Sequence, residues 1–370
     1  MTAPDAMGVA DDRADGIRLL RDSAAAIVPR GGPLGRIRAL RDTEAGFDRA
    51  VLGEMGAFGW LGLRVADEAG GVGLGMAELC ALAEEMGHGL APEPLVAVAA
   101  IAAPLVPEED VIAGVRVLLP AWAERPHTLD PAGTTMAAID GATLRVTGRK
   151  IAIPMAAGAD GFLVTAREGD ALSVVIVENG APGVTLTVEA TVDGGHMGTL
   201  TLEAARCVRV AEDAGPRIAR LLDEAAVATA AELVGVMDRA FALTLDYLGT
   251  RQQFGKPIGS FQVLQHRAAD LKIQIELSRA AVGHAAAVCD ASAPAAQRSA
   301  AVSLAKARAS DAAMLVTRQA IHLHGGIGYT DEADIGLFLR RAMVLAASCG
   351  TAAAHRRRYA AAAPPLDLDA

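Results

Sequence analysis

The stretch RQQFGKPIGSFQVLQHRAADL, residues 251–271, separates two long helical patterns and shows how this chain is organised. Apolar residues at three- and four-residue spacing predict one helix over 218–249 and a second over 262–290. Arg251 would lie at the end of the first helix, and the second begins near Ser260. A cationic donor and a helix N-terminus can therefore converge here on phosphate oxygens. The alternative is that Arg251 only caps a helix.

Two further helices are predicted downstream, over 294–322 and 333–347, with short connections. Four long helices joined in this way favour an antiparallel four-helix bundle. The connection HLHGGIGYTDE, residues 322–332, contains Gly325 and Gly326, which permit a positive φ and the close approach of a ligand to the backbone. Glycines of this kind can also merely end a helix.

Upstream of the bundle, the sequence has the alternating pattern of β-strands. The turn dipeptides Asp140-Gly141 and Gly169-Asp170 each lie between two alternating runs, which is a strong hairpin signal. Two hairpins and one further strand are predicted, over 134–153, 161–180 and 198–210. These strands predict a small all-β domain, a barrel or a sandwich.

The N-terminal third is helical in pattern, with glycines interrupting it at ADEAGGVGLG, residues 66–75. No strand precedes this segment, so it predicts a turn rather than a nucleotide-binding loop. Three domains are predicted: an N-terminal α-helical domain over 1–118, a middle β-barrel domain over 119–210 and a C-terminal four-helix bundle domain over 211–370.

Composition limits the possible partners. The 370 residues are 52% hydrophobic and 21% charged, which describes a globular chain of two or three domains. The net charge of −10, with no long Lys/Arg run, argues against binding nucleic acid. The four cysteines are scattered without CxxC spacing, so neither a zinc site nor a disulfide framework is predicted.

Two sequence features bear on location. The N-terminus, MTAPDAMGVADDRADG, is acidic and lacks the basic and apolar regions of a signal peptide. The apolar run around 95–106 is short and lies among prolines, so it predicts a buried helix rather than a membrane span. A cytoplasmic protein with no membrane partner is therefore expected.

Three stretches resemble the motifs of the acyl-CoA dehydrogenase flavoproteins. They are GWLGLRVADEAGGVGL (59–74), the 251–271 stretch and HLHGGIGYTDE (322–332), and their order and spacing match from about residue 15 to 355. The family fold is α+β multidomain, with an N-terminal all-α domain, a middle β-barrel and a C-terminal four-helix bundle. The resemblance therefore implies the same three blocks that the patterns predict.

The resemblance implies a cofactor and a reaction. In the family, FAD oxidises an acyl-CoA thioester: a glutamate removes the α-proton while hydride leaves the β-carbon for the flavin. The FAD contacts that it implies here are Arg251, Gln253, Phe254, Gln262, His322, Gly325, Gly326 and Thr351. His322 stands where relatives often have a glutamine, and contact with the cofactor or packing explains it better than metal binding.

The family glutamate directly precedes a Gly-Thr pair, and here Cys349 occupies that position, so the catalytic base is unknown. A thiol is mostly protonated at neutral pH, and the C-terminus of a helix disfavours the anion, so Cys349 is expected to be an inert, packed residue. Some relatives carry the base on another helix, at a position that aligns with Ala225. Glu224 is a fallback base, although one residue along a helix turns a side chain by about 100°.

The family motifs of the β-domain that touch the flavin ring are also changed. The segment PAWAERPHTLDP, residues 120–131, keeps almost nothing of the first motif. In the second, Ala152 and Pro154 replace a tryptophan and a threonine. In the family these motifs and the glutamate serve the subunit's own FAD, whereas the 251–271 and 322–332 motifs reach the FAD of a neighbouring subunit. The chain thus retains the residues that would bind a neighbouring subunit's FAD and has lost most of those that would bind its own.

This asymmetry resembles the diverged subunits of heterotetrameric members, some of which act on sterol side-chain thioesters. The expected partners are an acyl-CoA substrate, a paralogous acyl-CoA dehydrogenase subunit or the chain itself as a dimer or tetramer, and electron-transfer flavoprotein as acceptor. Two alternatives stay open: a non-catalytic subunit that only completes a paralogue's FAD site, and a self-sufficient homo-oligomer with another base such as Glu224.

Overall fold

The structure is a computed structural model that describes residues 6–29, 32, 34–41 and 43–362. Its first third is helical, and Asp48 starts one of these helices by accepting a hydrogen bond from the backbone N–H of Ala50. The helices are α1 (Ala6–Ala24), α2 (Gly35–Leu40), α3 (Arg49–Ala57), α4 (Met76–Gly89), α5 (Leu95–Ala97), the π-helical turn Val98–Ala102, α6 (Ala103–Leu105) and α7 (Glu109–Ile112).

The middle of the chain forms one eight-stranded sheet. Its strands are β1 (Leu118–Ala121), β2 (Met136–Asp140), β3 (Thr143–Pro154), β4 (Gly161–Glu168), β5 (Ala171–Glu178), β6 (Val184–Ala190), β7 (His196–Arg206) and β8 (Val208–Ala211). The order is β6-β7-β3-β2-β4-β5-β8, and β1 pairs in parallel with β4. Within the described residues no pairing joins β6 to β8, so the sheet is left open there.

Both predicted hairpins are present with the predicted turns. Asp140 pairs with Thr143, and Glu168 pairs with Ala171, so each hairpin closes through a two-residue loop. Gly141 and Gly169 have φ values of 61° and 63°, which glycine adopts without steric cost. Sequence pattern missed β1 and β6, because β1 is short and contains a proline while β6 is largely exposed.

The C-terminal part is a helical bundle made of α8 (Gly215–Thr250), α9 (Gln262–Asp290), α10 (Ala295–His324), α11 (Ile335–Ala347) and α12 (Ala352–Ala362), with the two-residue strands β9 (Gln252–Gln253) and β10 (Lys256–Pro257) between α8 and α9. The four predicted helices agree with α8 to α11 to within a few residues. Helix α12 was not predicted, because its alanine- and arginine-rich sequence has no apolar periodicity.

Helices α4 and α8 cross at two glycines, which joins the N-terminal helices to the bundle. A Cβ on Gly235 would lie 1.9 Å from the carbonyl oxygen of Glu84, and one on Gly87 would lie 2.0 Å from that of Glu232. No larger residue fits at this crossing without moving backbone. The predicted fold class is confirmed: N-terminal helices, a middle β-domain and a C-terminal helical bundle. The domain boundaries at 118/119 and 210/211 stay predictions.

Among the described residues, the stretch Ile335–Ala362 is long and apolar enough to cross a membrane by length and composition. This is weak evidence for a span, because the core helices of soluble proteins share these properties. Here the stretch consists of α11 and α12, separated by a loop, and it contains Arg341, which pairs with the buried Glu232. The expectations about a signal peptide rest partly on residues 1–5, which lie outside the described residues.

Candidate functional site

The segment between α11 and α12 forms a tight loop around Cys349. Helix α11 ends at Ala347, α12 begins at Ala352, and Cys349 between them has a φ of 52°. A positive φ is uncommon for a residue with a side chain and persists only where the surrounding contacts hold it. The position of the family glutamate is therefore a constrained loop.

Lys306 on α10 binds the backbone of this loop. Its Nζ donates to the carbonyl oxygens of Leu345 and Gly350 at 3.1 Å each and to that of Ala346 at 3.3 Å, and the side chain is fully buried. The ammonium also lies at the negative end of the α11 dipole. Burial lowers the pKa of Lys306 to about 8, because loss of water disfavours the charged amine. The lysine therefore remains mainly protonated at neutral pH.

His355 on α12 binds the same loop from the other side. Its Nε2 lies 2.8 Å from the carbonyl oxygen of Cys349 and must donate, because a carbonyl oxygen only accepts. Burial lowers the pKa of His355 to about 3, so the ring is neutral. Together with Lys306, this histidine fixes the loop backbone independently of the side chain at position 349.

The surroundings of Cys349 keep its thiol protonated. Its Sγ lies 3.7 Å from Oγ1 of Thr229, but that hydroxyl lies 2.8 Å from the carbonyl oxygen of Ala225, which takes its single hydrogen. Burial raises the pKa of the Cys349 thiol and outweighs the opposing attraction of Lys306. A neutral thiol at this position does not remove a proton from a substrate carbon at pH 7.

The β-domain also packs onto the loop. A Cβ on Gly350 would lie 2.3 Å from Cδ2 of Leu129, so this apolar side chain covers the glycine. Ala152 and Pro154, at positions where the resemblance implies flavin contacts, carry no polar side chain. Neither residue therefore supplies a hydrogen-bonding side chain to a flavin ring. Thr351, on the same loop, accepts a hydrogen bond from the backbone N–H of Ala354 and so starts α12.

The β-domain segments that differ from the family motifs contain a structural ion pair, which the sequence analysis did not predict. Lys150 is fully buried, and its Nζ lies 2.8 Å from a carboxylate oxygen of Glu124. The same carboxylate accepts from the backbone and hydroxyl groups of Thr134 and Thr135, and these contacts hold its pKa well below its usual range despite burial. This ion pair could have been predicted, because the alternating pattern of β3 places Lys150 at an inward-facing, buried position.

Glu224 faces away from the loop. Its carboxylate lies 3.1 Å from Arg64 and 3.0 Å from Arg220, and the side chain is almost fully buried. On a helix, Ala225 lies about 40° from Thr229, the residue that touches Cys349, whereas Glu224 lies about 140° from it. The structure therefore does not bring the fallback base and Cys349 together.

The 251–262 segment forms an exposed edge at the far end of α8. Phe254 and Gly255 close the β9–β10 hairpin with φ values of 54° and 76°, the two positive values that a type I′ turn requires. Phe254 is 90% exposed, and its positive φ is uncommon for a residue with so bulky a side chain. Arg251 ends α8 and is exposed, with no hydrogen-bond partner for its guanidinium among the described residues.

The 322–326 turn lies against this edge. The ring of His324 stacks on Tyr247, one turn before Arg251, with centroids 4.5 Å apart. Gly325 has a φ of 66° and a ψ of −144°, a conformation essentially restricted to glycine, and space beside both Gly325 and Gly326 is open. We call the resulting surface the lending edge; it consists of Arg251, Gln253, Phe254, Gln262, His322, Gly325 and Gly326, all of them exposed. An unpaired guanidinium beside an open glycine turn fits an anionic, extended cofactor such as FAD.

The lending edge lies at the C-terminal ends of α8 and α10, whereas the Cys349 loop lies beside the middle of both helices. On α10, Lys306 at the loop and His322 at the edge are 16 residues apart, which corresponds to about 24 Å. On α8, Thr229 at the loop and Arg251 at the edge are separated by about 33 Å. Of the predicted site residues, only Thr351 lies with Cys349. The residues that organise both sites, Lys306, His355, Tyr247 and His324, were missed because a buried lysine and stacked rings leave no pattern in one sequence.

Comparison with known proteins agrees with this architecture. The family descriptions "Acyl-CoA dehydrogenase, N-terminal domain" and "Acyl-CoA dehydrogenase, C-terminal domain" match residues 17–107 and 215–363. The acyl-CoA dehydrogenase IpdE2 of Mycolicibacterium smegmatis is 32% identical over 336 residues, which cover 88% of this chain and 91% of that protein.

Solved structures are similar to this chain over nearly its whole length. The Tcur3481-Tcur3483 steroid ACAD, in a G363A variant, has a TM-score of 0.85 at 30% identity and covers 94% of this chain and 98% of that one. The ChsE4-ChsE5 complex of Mycobacterium tuberculosis has a TM-score of 0.82 at 29% identity, with 95% and 98% covered. From its motifs, its fold and these relatives, the chain belongs to the acyl-CoA dehydrogenase family, whose members catalyse FAD-dependent dehydrogenation of acyl-CoA thioesters.

Proposed function

We propose that this chain is the diverged subunit of a heteromeric acyl-CoA dehydrogenase, in which it lends its exposed edge to the FAD of a paralogous partner. The edge residues are Arg251, Gln253, Phe254, Gln262, His322, Gly325 and Gly326. The catalytic glutamate comes from the partner, because the corresponding position here holds the protonated thiol of Cys349.

The observation that carries this proposal is the contrast between the C-terminal ends of α8 and α10 and the Cys349 loop, which lies beside the middle of both helices. At the helix ends, Arg251 and the Gly325-Gly326 turn are exposed and open. The loop around Cys349 is covered by Leu129 and fixed by Lys306 and His355. A chain that used its own flavin would also need polar groups and space at the loop.

Within such an assembly, FAD supplies the acceptor for the hydride that leaves the substrate. This chain supplies binding: Arg251 offers a charged, planar fork to phosphate oxygens, and the glycine turn lets the ligand approach the backbone. Phe254 offers an aromatic surface that solvent contacts in the lone chain and that a partner or its cofactor would cover.

The substrate class is an acyl-CoA thioester, of a fatty acid or a sterol side chain. The steroid acyl-CoA dehydrogenase among the similar structures supports the sterol alternative. Electron-transfer flavoprotein is the acceptor that we propose, and a cytoplasmic location fits this role.

Two other arrangements remain to be tested beside this one. In the first, the chain is purely structural and completes a paralogue's FAD site without touching substrate. In the second, the chain is a self-sufficient homo-oligomer with Glu224 as base, against which stand the pairing of Glu224 with Arg64 and Arg220 and its direction away from the loop.

The test is to purify the chain alone and with a co-expressed paralogue, and to record the flavin absorbance and its bleaching by acyl-CoA. We expect the lone chain to be colourless or inactive and the pair to be yellow and bleached by substrate. A lone chain that retains FAD and turns over acyl-CoA at the rate of the pair would overturn the proposal.

A further inference from the structure

One residue of the lending edge, His322, contacts a side chain of another helix that lies outside the edge, and the function described so far does not use this contact. Nη1 of Arg267 on α9 lies 3.0 Å from Nδ1 of His322 on α10, and both residues are exposed. A guanidinium carries only donors and stays protonated, so Arg267 donates and Nδ1 of His322 accepts.

This contact determines which nitrogen of His322 carries the hydrogen. When Nδ1 accepts, the ring hydrogen must lie on Nε2, as in other histidines that are oriented by a hydrogen bond to one nitrogen. No other partner for the His322 ring is found among the residues that the structure describes. His322 therefore presents one N–H donor to whatever binds the edge, beside the glycine turn that starts at Gly325.

We propose that Arg267 is a positioning residue, which holds His322 as an Nε2–H donor for a phosphate oxygen of the partner's FAD. The inference rests on the proposed function for the identity of the ligand, whereas the hydrogen position follows from the Arg267–His322 contact alone. Arg267 acts through His322 and is not itself a contact of the cofactor.

A double-mutant cycle in the co-expressed assembly separates these roles, because a glutamine at position 322 donates an N–H without needing a neighbour to select a tautomer. The variants are Arg267→Ala, His322→Gln and both together, with FAD dissociation followed by the fluorescence of released flavin. We expect Arg267→Ala to weaken FAD binding about three- to tenfold with His322 present, as for loss of one hydrogen bond. In the His322→Gln background, Arg267→Ala should weaken FAD binding by less than about twofold.

Arg318→Ala is the matched control, since Arg318 is an exposed arginine one turn before His322 on the same helix. It removes an equal charge from the edge without touching the His322 ring. If Arg318→Ala weakens FAD binding as much as Arg267→Ala does, only the charge matters. If Arg267→Ala has the same effect in both backgrounds, Arg267 contacts the cofactor directly. Either result would overturn the proposal. No effect of Arg267→Ala in either background would also overturn the proposal.

The second measurement does not depend on FAD. The chain has eight histidines, so ¹⁵N spectra of protein labelled at the histidine rings, compared with His322→Gln, identify the His322 nitrogens. We expect an unprotonated Nδ1 and a protonated Nε2 in the native chain and a tautomer mixture in Arg267→Ala. A mixture already in the native chain would refute the positioning role. If instead Arg251→Ala and His322→Ala leave FAD binding unchanged while the spectra show the expected tautomer, the proposed function fails and the Arg267–His322 relationship stands.

Discussion

The ring of Tyr247 stacks on the ring of His324, with centroids 4.5 Å apart and planes 20° apart. Tyr247 belongs to the last turn of α8 and His324 to the last turn of α10, so this contact joins the two motifs that were recognised separately in the sequence. It aligns Arg251, four residues after Tyr247, with the glycine turn directly after His324.

Removing this stack should loosen the lending edge without unfolding the bundle. For Tyr247→Leu we expect a loss of about 0.5–1.5 kcal/mol in the contact and a corresponding increase, up to about tenfold, in FAD dissociation from the assembly. Tyr247→Phe keeps the ring and is the control. Equal FAD retention in all three proteins would show that the stack does not organise the edge.

Lys306→Met should destabilise the chain, and the effect should depend on pH. The folded pKa of Lys306 is lowered to about 8, whereas an unfolded lysine has a pKa near about 10.4. Between these values the unfolded chain binds more protons, so this group makes the free energy of unfolding rise as pH rises, by up to about 3 kcal/mol. Urea unfolding at pH 7.5, 9 and 10.5 measures this.

The methionine variant is expected to lack that rise, so its free energy of unfolding should diverge from the native value as pH increases. Lys306→Met also leaves the carbonyl groups of Leu345, Ala346 and Gly350 without their buried donor, which adds a cost at every pH. A constant difference between the two proteins over this range would contradict the lowered pKa.

Cys349→Ser should leave the activity of the co-expressed assembly within about twofold, because a neutral thiol takes no part in proton removal. The readout is kcat/KM with the acyl-CoA that bleaches the native pair. Burial raises the pKa of the thiol, so Cys349 should also react slowly with thiol reagents at pH 7 in the folded chain. A loss of a hundredfold or more in kcat would restore Cys349 as a catalytic residue.

Glu224→Gln should affect stability rather than catalysis. The change removes the charge that Arg64 and Arg220 share, at a cost of about 1–3 kcal/mol for a buried charged hydrogen-bonding group. Thermal unfolding and kcat of the folded assembly are measured together. A variant that folds normally but loses activity would support Glu224 as the base and the homo-oligomeric arrangement.

Much of the fold follows from sequence because its signals are local. The turn dipeptides Asp140-Gly141 and Gly169-Asp170 and the apolar spacing of α8 to α11 each act within a few residues. Strand β6 and helix α12 carry no such signal, since one is largely exposed and the other alanine-rich. They form through contacts with neighbouring elements, since β6 pairs along its length with β7 and α12 packs on α10.

The candidate site divides in the same way. Motif resemblance pointed to the lending edge and to Cys349, because their residues lie close together in the chain. Lys306 lies 39 to 44 residues from the carbonyl groups that it binds, and Tyr247 lies 77 residues from His324, so only the folded structure relates them to the loop and the edge. His355 lies six residues from Cys349, but its alanine- and arginine-rich helix has no pattern that predicts the contact. The separation of loop and edge along α8 and α10 is likewise a property of helix length and packing, not of either motif.

The most direct measurement is the number of FAD molecules bound per chain in the co-expressed assembly, with and without Arg251→Ala in this chain. We predict one FAD for each pair of unlike chains, and its loss when only this chain carries Arg251→Ala, although the partner is unchanged. The expected loss of affinity is about 10- to 100-fold, as for a charge-assisted contact, and Arg251→Lys should restore little of it. Finding one FAD per chain, or flavin binding that is indifferent to Arg251→Ala in this chain, would contradict the account.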